Sequence, residues 1–373
     1  MEKLGKIVTI TGRVHPHTCG VGDYTINLAV ECKNKLNINL DIIVEKGCKE
    51  STNPVKIFAN VDGWSRSGWQ KLLEWLEVEK VETVILQYTP WLYASKGYNL
   101  ALIDFWQQCH QRFQTLLIAH ETYFWFLKYP GTWGVGLLQQ YVLRSLLLSS
   151  HHVFCASELY LHRLKRFSNS KSKIHYLPIP SNIPFQPLSP SQKQSVRQKL
   201  GIAPEQLVIT LFGCGESILQ NWISALDLYL NSNYSIIWLL LGNAQSLISL
   251  KNPAIRPGYL APIELSHYLQ ISHIMLMPHR FGISAKRTSL MSALEHGIPV
   301  VGTDGMLTDS FLRQLPSVFL APENSYPAFE KQVLNSLTQL PDLDNLAKIT
   351  QEYYDSNLSW SVVTKTLLPY LEQ

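Results

Sequence analysis

The sequence predicts an α/β fold made of two parallel-sheet domains, and three observations carry that expectation. Short β-branched, nearly charge-free runs alternate with amphipathic stretches at helical spacing along the chain. Two of these runs, Ile7–Ile10 and Gln206–Phe212, lead into Gly-bearing loops and then into a helical pattern. Between them, Pro178-Ile-Pro-Ser-Asn-Ile-Pro184 reads as a domain boundary.

Composition agrees with a chain that buries large cores. It has 373 residues, 46% hydrophobic and only 16% charged, which argues against long disorder. The net charge of +4 is too small to imply nucleic acid as a partner. Six scattered Cys, none in a C-x-x-C pair, resemble neither a disulfide framework nor a zinc site, and a reducing compartment is expected. The start of the chain shows no signal-peptide pattern, and no apolar run reaches the roughly 18–20 residues of a membrane span. A cytoplasmic protein is expected.

Strands are expected at Ile7–Ile10, Leu40–Val44, Val81–Gln87, Leu116–Ala119, Val153–Ala156 and Ile174–Leu177, with helices between them. After the first strand comes Gly12 to Asp23, a Gly-rich loop, and a helix is expected from about Tyr24. Gly20 and Gly22 would let a ligand approach the backbone there. A plain βα turn makes the same demand, and spacing alone leaves the two readings level. Asp23 would cap the helix or touch an acceptor. Ser157 is expected to cap the helix that follows it. His120-Glu121 ends a strand; a polar terminus facing solvent explains it as well as a catalytic role does. The aromatic loop Tyr123 to Trp133, which includes Trp125, reads first as domain packing. A lid, a sugar-stacking platform and a membrane-surface patch are the other readings.

In the second half, strands are expected at Gln206–Phe212 and Ile236–Leu241, and a helix at Pro262–Ile271. The densest signal is residues 276–305, LMPHRFGISAKRTSLMSALEHGIPVVGTDG. It reads as strand, polar loop, helix, Gly-Pro stop and strand. The loop and helix start collect Arg280, Gly282, Ser284, Lys286, Arg287, Thr288 and Ser289. Helix-start N–H groups, cations and hydroxyls together point to a phosphate-bearing ligand.

This stretch resembles the nucleotide-sugar-binding half of GT-B-fold glycosyltransferases of the family 4 type. The resemblance lies in Pro278, Arg280, Gly282, Ile283, Ser284, Arg287, Ser289, Leu290, Ala293, Leu294, His296, Gly297, Pro299 and Thr303. The first loop, Pro16 to Ala29, and the crossover at 178–184 are also similar to that family. The resemblance implies two Rossmann-like domains facing across a cleft: 1–182 for the acceptor, 183–342 for the donor, and 343–373 as C-terminal helices, the last returning to the first domain. It implies retaining, metal-independent transfer from a nucleotide sugar to an acceptor hydroxyl, with no cofactor. His120 would position the sugar, Glu121 would orient His120, and Gly20, Gly22, Gly213, Arg280, Gly282, Ile283, Ser284, Lys286, Arg287 and Ser289 would hold the donor. Asp23, Tyr123 and Trp125 would lie toward the acceptor. Contact with the inner face of a membrane stays open.

Two departures from the family stand out. The family's Arg and Lys after the second-domain first strand are missing from Gly213 to Trp222, and its ribose-binding carboxylate falls on Ser292. Each missing charge forfeits a charge-assisted hydrogen bond of roughly 1.5–3 kcal/mol. A non-catalytic binding or partner protein of the same fold is therefore the alternative. A sugar-nucleotide epimerase is a third reading; no phosphorylase lysine motif is visible.

Overall fold

The computed structural model describes residues 5–123, 133–168, 173–213, 217–242, 244 and 250–372. Trp125 and most of the aromatic loop lie outside the described residues. The chain divides into two compact units, Met1–Pro178 with Trp360–Gln373, and Ile179–Ser359.

The first unit runs β1 (Lys6–Ile10), α1 (Gly20–Leu36), β2 (Leu40–Glu45), β3 (Ile57–Val61), α2 (Arg66–Val78), β4 (Val81–Tyr88), α3 (Ala101–Arg112), β5 (Gln114–Ala119), α4 (Trp133–Leu148), β6 (His152–Cys155), α5 (Glu158–Phe167) and β7 (Ile174–Tyr176). Its strands form a parallel sheet in the order β3-β2-β1-β4-β5-β6-β7. The strands are rich in Val, Ile and Leu because a parallel sheet is covered on both faces. Trp69, Leu102, Val142 and Leu164 from α2 to α5 close one face over Val8, Val84 and Leu117.

The second unit runs α6 (Pro190–Lys199), β8 (Leu207–Phe212), α7 (Ser217–Asn233), β9 (Ile236–Leu241), β10 (Ala254–Ile255), α8 (Pro262–Leu269), β11 (Ile274–Met277), α9 (Thr288–Glu295), β12 (Val300–Asp304), β13 (Val318–Pro322), α10 (Tyr326–Thr338) and α11 (Leu343–Asn357). These strands are also all parallel, in the order β10-β9-β8-β11-β12-β13. The last helix, α12 (Trp360–Leu371), belongs to the first unit. Its Trp360 ring lies 5.3 Å from Tyr24 of α1, and its Tyr370 ring 4.7 Å from His175 of β7.

Each sheet reverses its winding once, between β1 and β4 in the first unit and between β8 and β11 in the second. Such switch points leave a crevice at the carboxyl ends of the strands, where open α/β sheets bind ligands.

Four expectations are corrected. No strand was expected between β2 and α2, yet Ile57–Val61 pair with β2 as the edge strand β3. Helix α1 begins at Gly20, not near Tyr24. Cys19 is its N-cap, with Sγ accepting from the Gly22 N–H at 3.4 Å, so both glycines are helical. Asp23 therefore sits in the first helical turn and is not the cap. Ser157 holds the N-cap position of α5, but its hydroxyl makes no capping bond.

Candidate functional site

In the first unit, the residues singled out gather at the carboxyl ends of β1, β4 and β5. Gly22 is buried beneath the loop after β1, and a Cβ there would collide with the Arg13 carbonyl. Only glycine lets that loop close onto the helix start. Gly20 faces open space, with nothing near the position of a side chain. Asp23 is exposed in the same turn.

His120 follows β5 and is 7% exposed. Its Nε2 lies 2.7 Å from Gln87 Oε1 on β4. An amide oxygen only accepts, so Nε2 carries the proton and Nδ1 keeps a lone pair. Gln87 in turn donates from Nε2 to Thr9 Oγ1 at 3.3 Å. The Tyr24 ring stands edge-on to the imidazole at 4.8 Å. Burial pushes the His120 pKa down to about 4, so the ring is neutral at neutral pH. The sequence reading missed Gln87, which it took only as the end of an apolar strand. Glu121 is half-buried beside His120. Tyr123 is also half-buried, with the Arg163 guanidinium 4.7 Å above its ring.

In the second unit, β8 ends at Gly213, which is exposed with φ +70°. Beside it, β11 leads into the loop of residues 278–287. Thr303 of β12 pins the start of this loop: its Oγ1 accepts from the His279 N–H at 2.8 Å and donates to the His279 carbonyl at 2.5 Å. Gly282 turns with φ +86°, and a Cβ there would strike Thr308 Oγ1 and the Gly305 backbone. Ile283 N–H donates to the Thr303 carbonyl at 2.9 Å. Asp309, 1% exposed, accepts from the Ala285 N–H at 2.8 Å and from Ser284 Oγ at 3.4 Å. Asp309 is a second residue missed from the sequence, since nothing in the spacing ties it to Ser284.

The expected donor-binding residues thus divide. Gly282, Ile283 and Ser284 are buried and build the loop. Lys286, Arg287 and Ser289 are half-buried at the start of α9, and Arg280 is exposed. Arg287 is the N-cap residue of α9 and supplies no side-chain cap. Its Nε is buried with no hydrogen-bond partner. A buried guanidinium N–H normally finds an acceptor, and the dipole of α9 adds positive potential at the same end. Ser292 is fully buried, bonded to the Thr288 carbonyl at 2.8 Å and to Ser181 Oγ at 3.0 Å. It is part of the packing of α9 and stands deep under the helix. His296 is likewise structural: it bonds Ser266 Oγ at 2.8 Å and the Ser292 carbonyl at 2.7 Å.

No protein-family model and no curated protein matches the chain. Solved structures do. Sucrose-phosphate synthase from Thermosynechococcus elongatus superposes with a TM-score of 0.71 at 15% identity, covering 98% of each chain. HepE from Anabaena, solved in complex with UDP and glucose, gives 0.68 at 12% identity over 98% of this chain and 99% of its own. The superpositions cover nearly the whole length of the chain, both parallel sheets included. The fold is GT-B. WaaG, a glycosyltransferase involved in lipopolysaccharide biosynthesis, matches with a TM-score of 0.65 at 12% identity, over 96% of this chain and 98% of that one. Within the GT-B fold of this chain, each Rossmann-like unit brings its marked residues to the switch-point end of its own sheet. The first unit offers a neutral imidazole whose Nδ1 is an acceptor, and the second a cationic helix start.

Proposed function

We propose that this GT-B chain is a glycosyltransferase of the family 4 type, moving a sugar from a nucleotide sugar to an acceptor hydroxyl with retention and without a metal. The observation that carries the proposal is the buried, unpartnered Arg287 Nε at the uncapped start of α9. An arginine N–H of this kind, at the positive end of a helix dipole, suits a diphosphate oxygen. Lys286 and Arg280 stand in the same loop and would share the charge. They would take over from the basic pair that is missing after β8.

In this reading the diphosphate is the leaving group. Arg287, Lys286 and the N–H groups of α9 stabilise the negative charge that grows on it as the glycosidic bond breaks. His120, neutral and fixed through Gln87, accepts a hydrogen bond at Nδ1 from a hydroxyl of the sugar and orients it. Glu121 stands beside it at the end of β5. Gly20 leaves the first-unit backbone open to the donor. UDP and glucose in HepE make a uridine diphosphate sugar the first donor to try.

The test is calorimetric titration of the full chain with UDP, GDP, ADP and their common sugar conjugates. Micromolar binding of one diphosphate, lost in Arg287→Ala, followed by sugar transfer from that donor, supports the proposal. No binding across the panel by folded protein overturns it and favours the non-catalytic reading. Turnover of the nucleotide sugar to an epimer without any acceptor overturns it in favour of an epimerase.

A further inference from the structure

Helix α4 (Trp133–Leu148) has the wrong surface for a helix that faces only water. Its inward residues Val142, Leu143, Leu146 and Leu147 are fully buried in the first unit, as expected. Its outward residues are also apolar: Trp133 is 50% exposed, Leu137 58%, Tyr141 58% and Leu148 48%. At 100° per residue these four positions and Arg144 fall within a sector of about 80°. The helix carries one charged residue, Arg144, and no acid. A mostly apolar stripe of this kind, interrupted only by Arg144, marks an interaction surface.

The neighbouring helix supplies the complement. Helix α5 packs against α4 and carries His162, Arg163, Lys165 and Arg166, against a single acid, Glu158. His162 and Arg166 are exposed, and Lys165 is half-buried. An apolar stripe on one helix, with exposed cations on the helix packed against it, matches a surface that is apolar below and anionic above. That is the boundary of a bilayer with acidic headgroups. At 1.5 Å per residue, a helix of this length is about 24 Å long and too short to cross. Among the described residues no helix is long and apolar enough to span a membrane. We propose that α4 and α5 form a peripheral docking face for an anionic lipid surface. Leu137 and Tyr141 enter the acyl boundary, Trp133 sits at the headgroup level, and Arg144, Lys165 and Arg166 meet the headgroups.

The proposal is independent of the glycosyltransferase reading, since binding to vesicles requires no donor. The full chain is floated with vesicles of phosphatidylcholine alone and with vesicles that also contain phosphatidylglycerol, at low and high salt. The expected result is flotation with the anionic vesicles, weakened by salt. A Leu137→Ser/Tyr141→Ser variant, altered only on the surface and checked by circular dichroism, should bind at least about tenfold more weakly. Arg166→Glu should weaken binding to the anionic vesicles only. A tryptophan blue shift on binding should shrink in Trp133→Phe. Failure of the folded chain to float with either vesicle overturns the proposal, as does flotation unchanged in the double-serine variant. A concentration-dependent dimer that this variant abolishes would assign the face to a second copy and overturn it as well.

Discussion

Gln87 Oε1 sits 2.7 Å from His120 Nε2, so a residue on β4 sets the tautomer of a residue on the loop after β5. Gln87 is 0% exposed and takes its own orientation from Thr9. Replacing it with alanine leaves His120 Nε2 without its acceptor. The expected result for Gln87→Ala is a fall in kcat of roughly tenfold or more, the loss of one positioning hydrogen bond. Diphosphate affinity should hardly change, because the cations lie in the other unit. Equal losses in kcat and in diphosphate affinity would sink this assignment.

Arg287→Ala should cost about 1.5–3 kcal/mol of diphosphate binding, or roughly ten- to a hundredfold in Kd. Arg287→Lys should recover only part, because lysine has no fixed planar fork. Titration of the three proteins with the best-binding diphosphate measures both effects. Alanine binding as well as the wild type would remove Arg287 from the site.

Gly282→Ala is expected to destabilise the second unit. Its φ of +86° strains any side chain, and the added methyl meets Thr308 and the Gly305 backbone. A loss of about 2 kcal/mol or more is expected in chemical denaturation. Gly20→Ala is the control: it adds a methyl in open space at a helical position, and should be neutral or slightly stabilising.

Glu295 gives a pH-dependent stability. Burial raises its carboxyl pKa to about 7, against the hydrogen bonds from Ser181 and Phe185 that lower it. The unfolded carboxyl ionises near 4.5. Between those values the folded state holds a proton that the unfolded state has lost, so stability declines as pH rises from 4.5 to 7. Glu295→Gln keeps an acceptor and removes the charge. It should raise stability at pH 8 by up to about 3 kcal/mol and change little at pH 4. Thermal melts across that range check it; a difference between the two proteins that did not vary with pH would contradict it.

The sheets were legible because their strands are apolar, β-branched and nearly uncharged over several residues, as Ile236–Leu241 shows. Strand β10 went unseen because Ala254–Ile255 is two residues long, too short for any periodicity. The start of α1 was misread for a definite reason. Gly20 and Gly22 look like a loop in sequence, but Cys19 caps the helix and Gly22 makes room for the Arg13 carbonyl. In the cationic loop, the residue types at 280–289 could be read directly. Which of them are buried could not.

The sequence by itself determined the two-sheet architecture and the clustering of Arg280, Lys286 and Arg287 before α9, because these depend on composition and local spacing. Only the tertiary structure decided what surrounds each candidate residue. The partners of His120 and Ser284 come from Gln87 and Asp309, 33 and 25 positions away. Parallel strands are joined by crossovers that carry sequence neighbours apart and bring distant strand ends side by side. Hydrogen-bond partners, burial and pKa are set by that juxtaposition, and no local pattern in the chain encodes it.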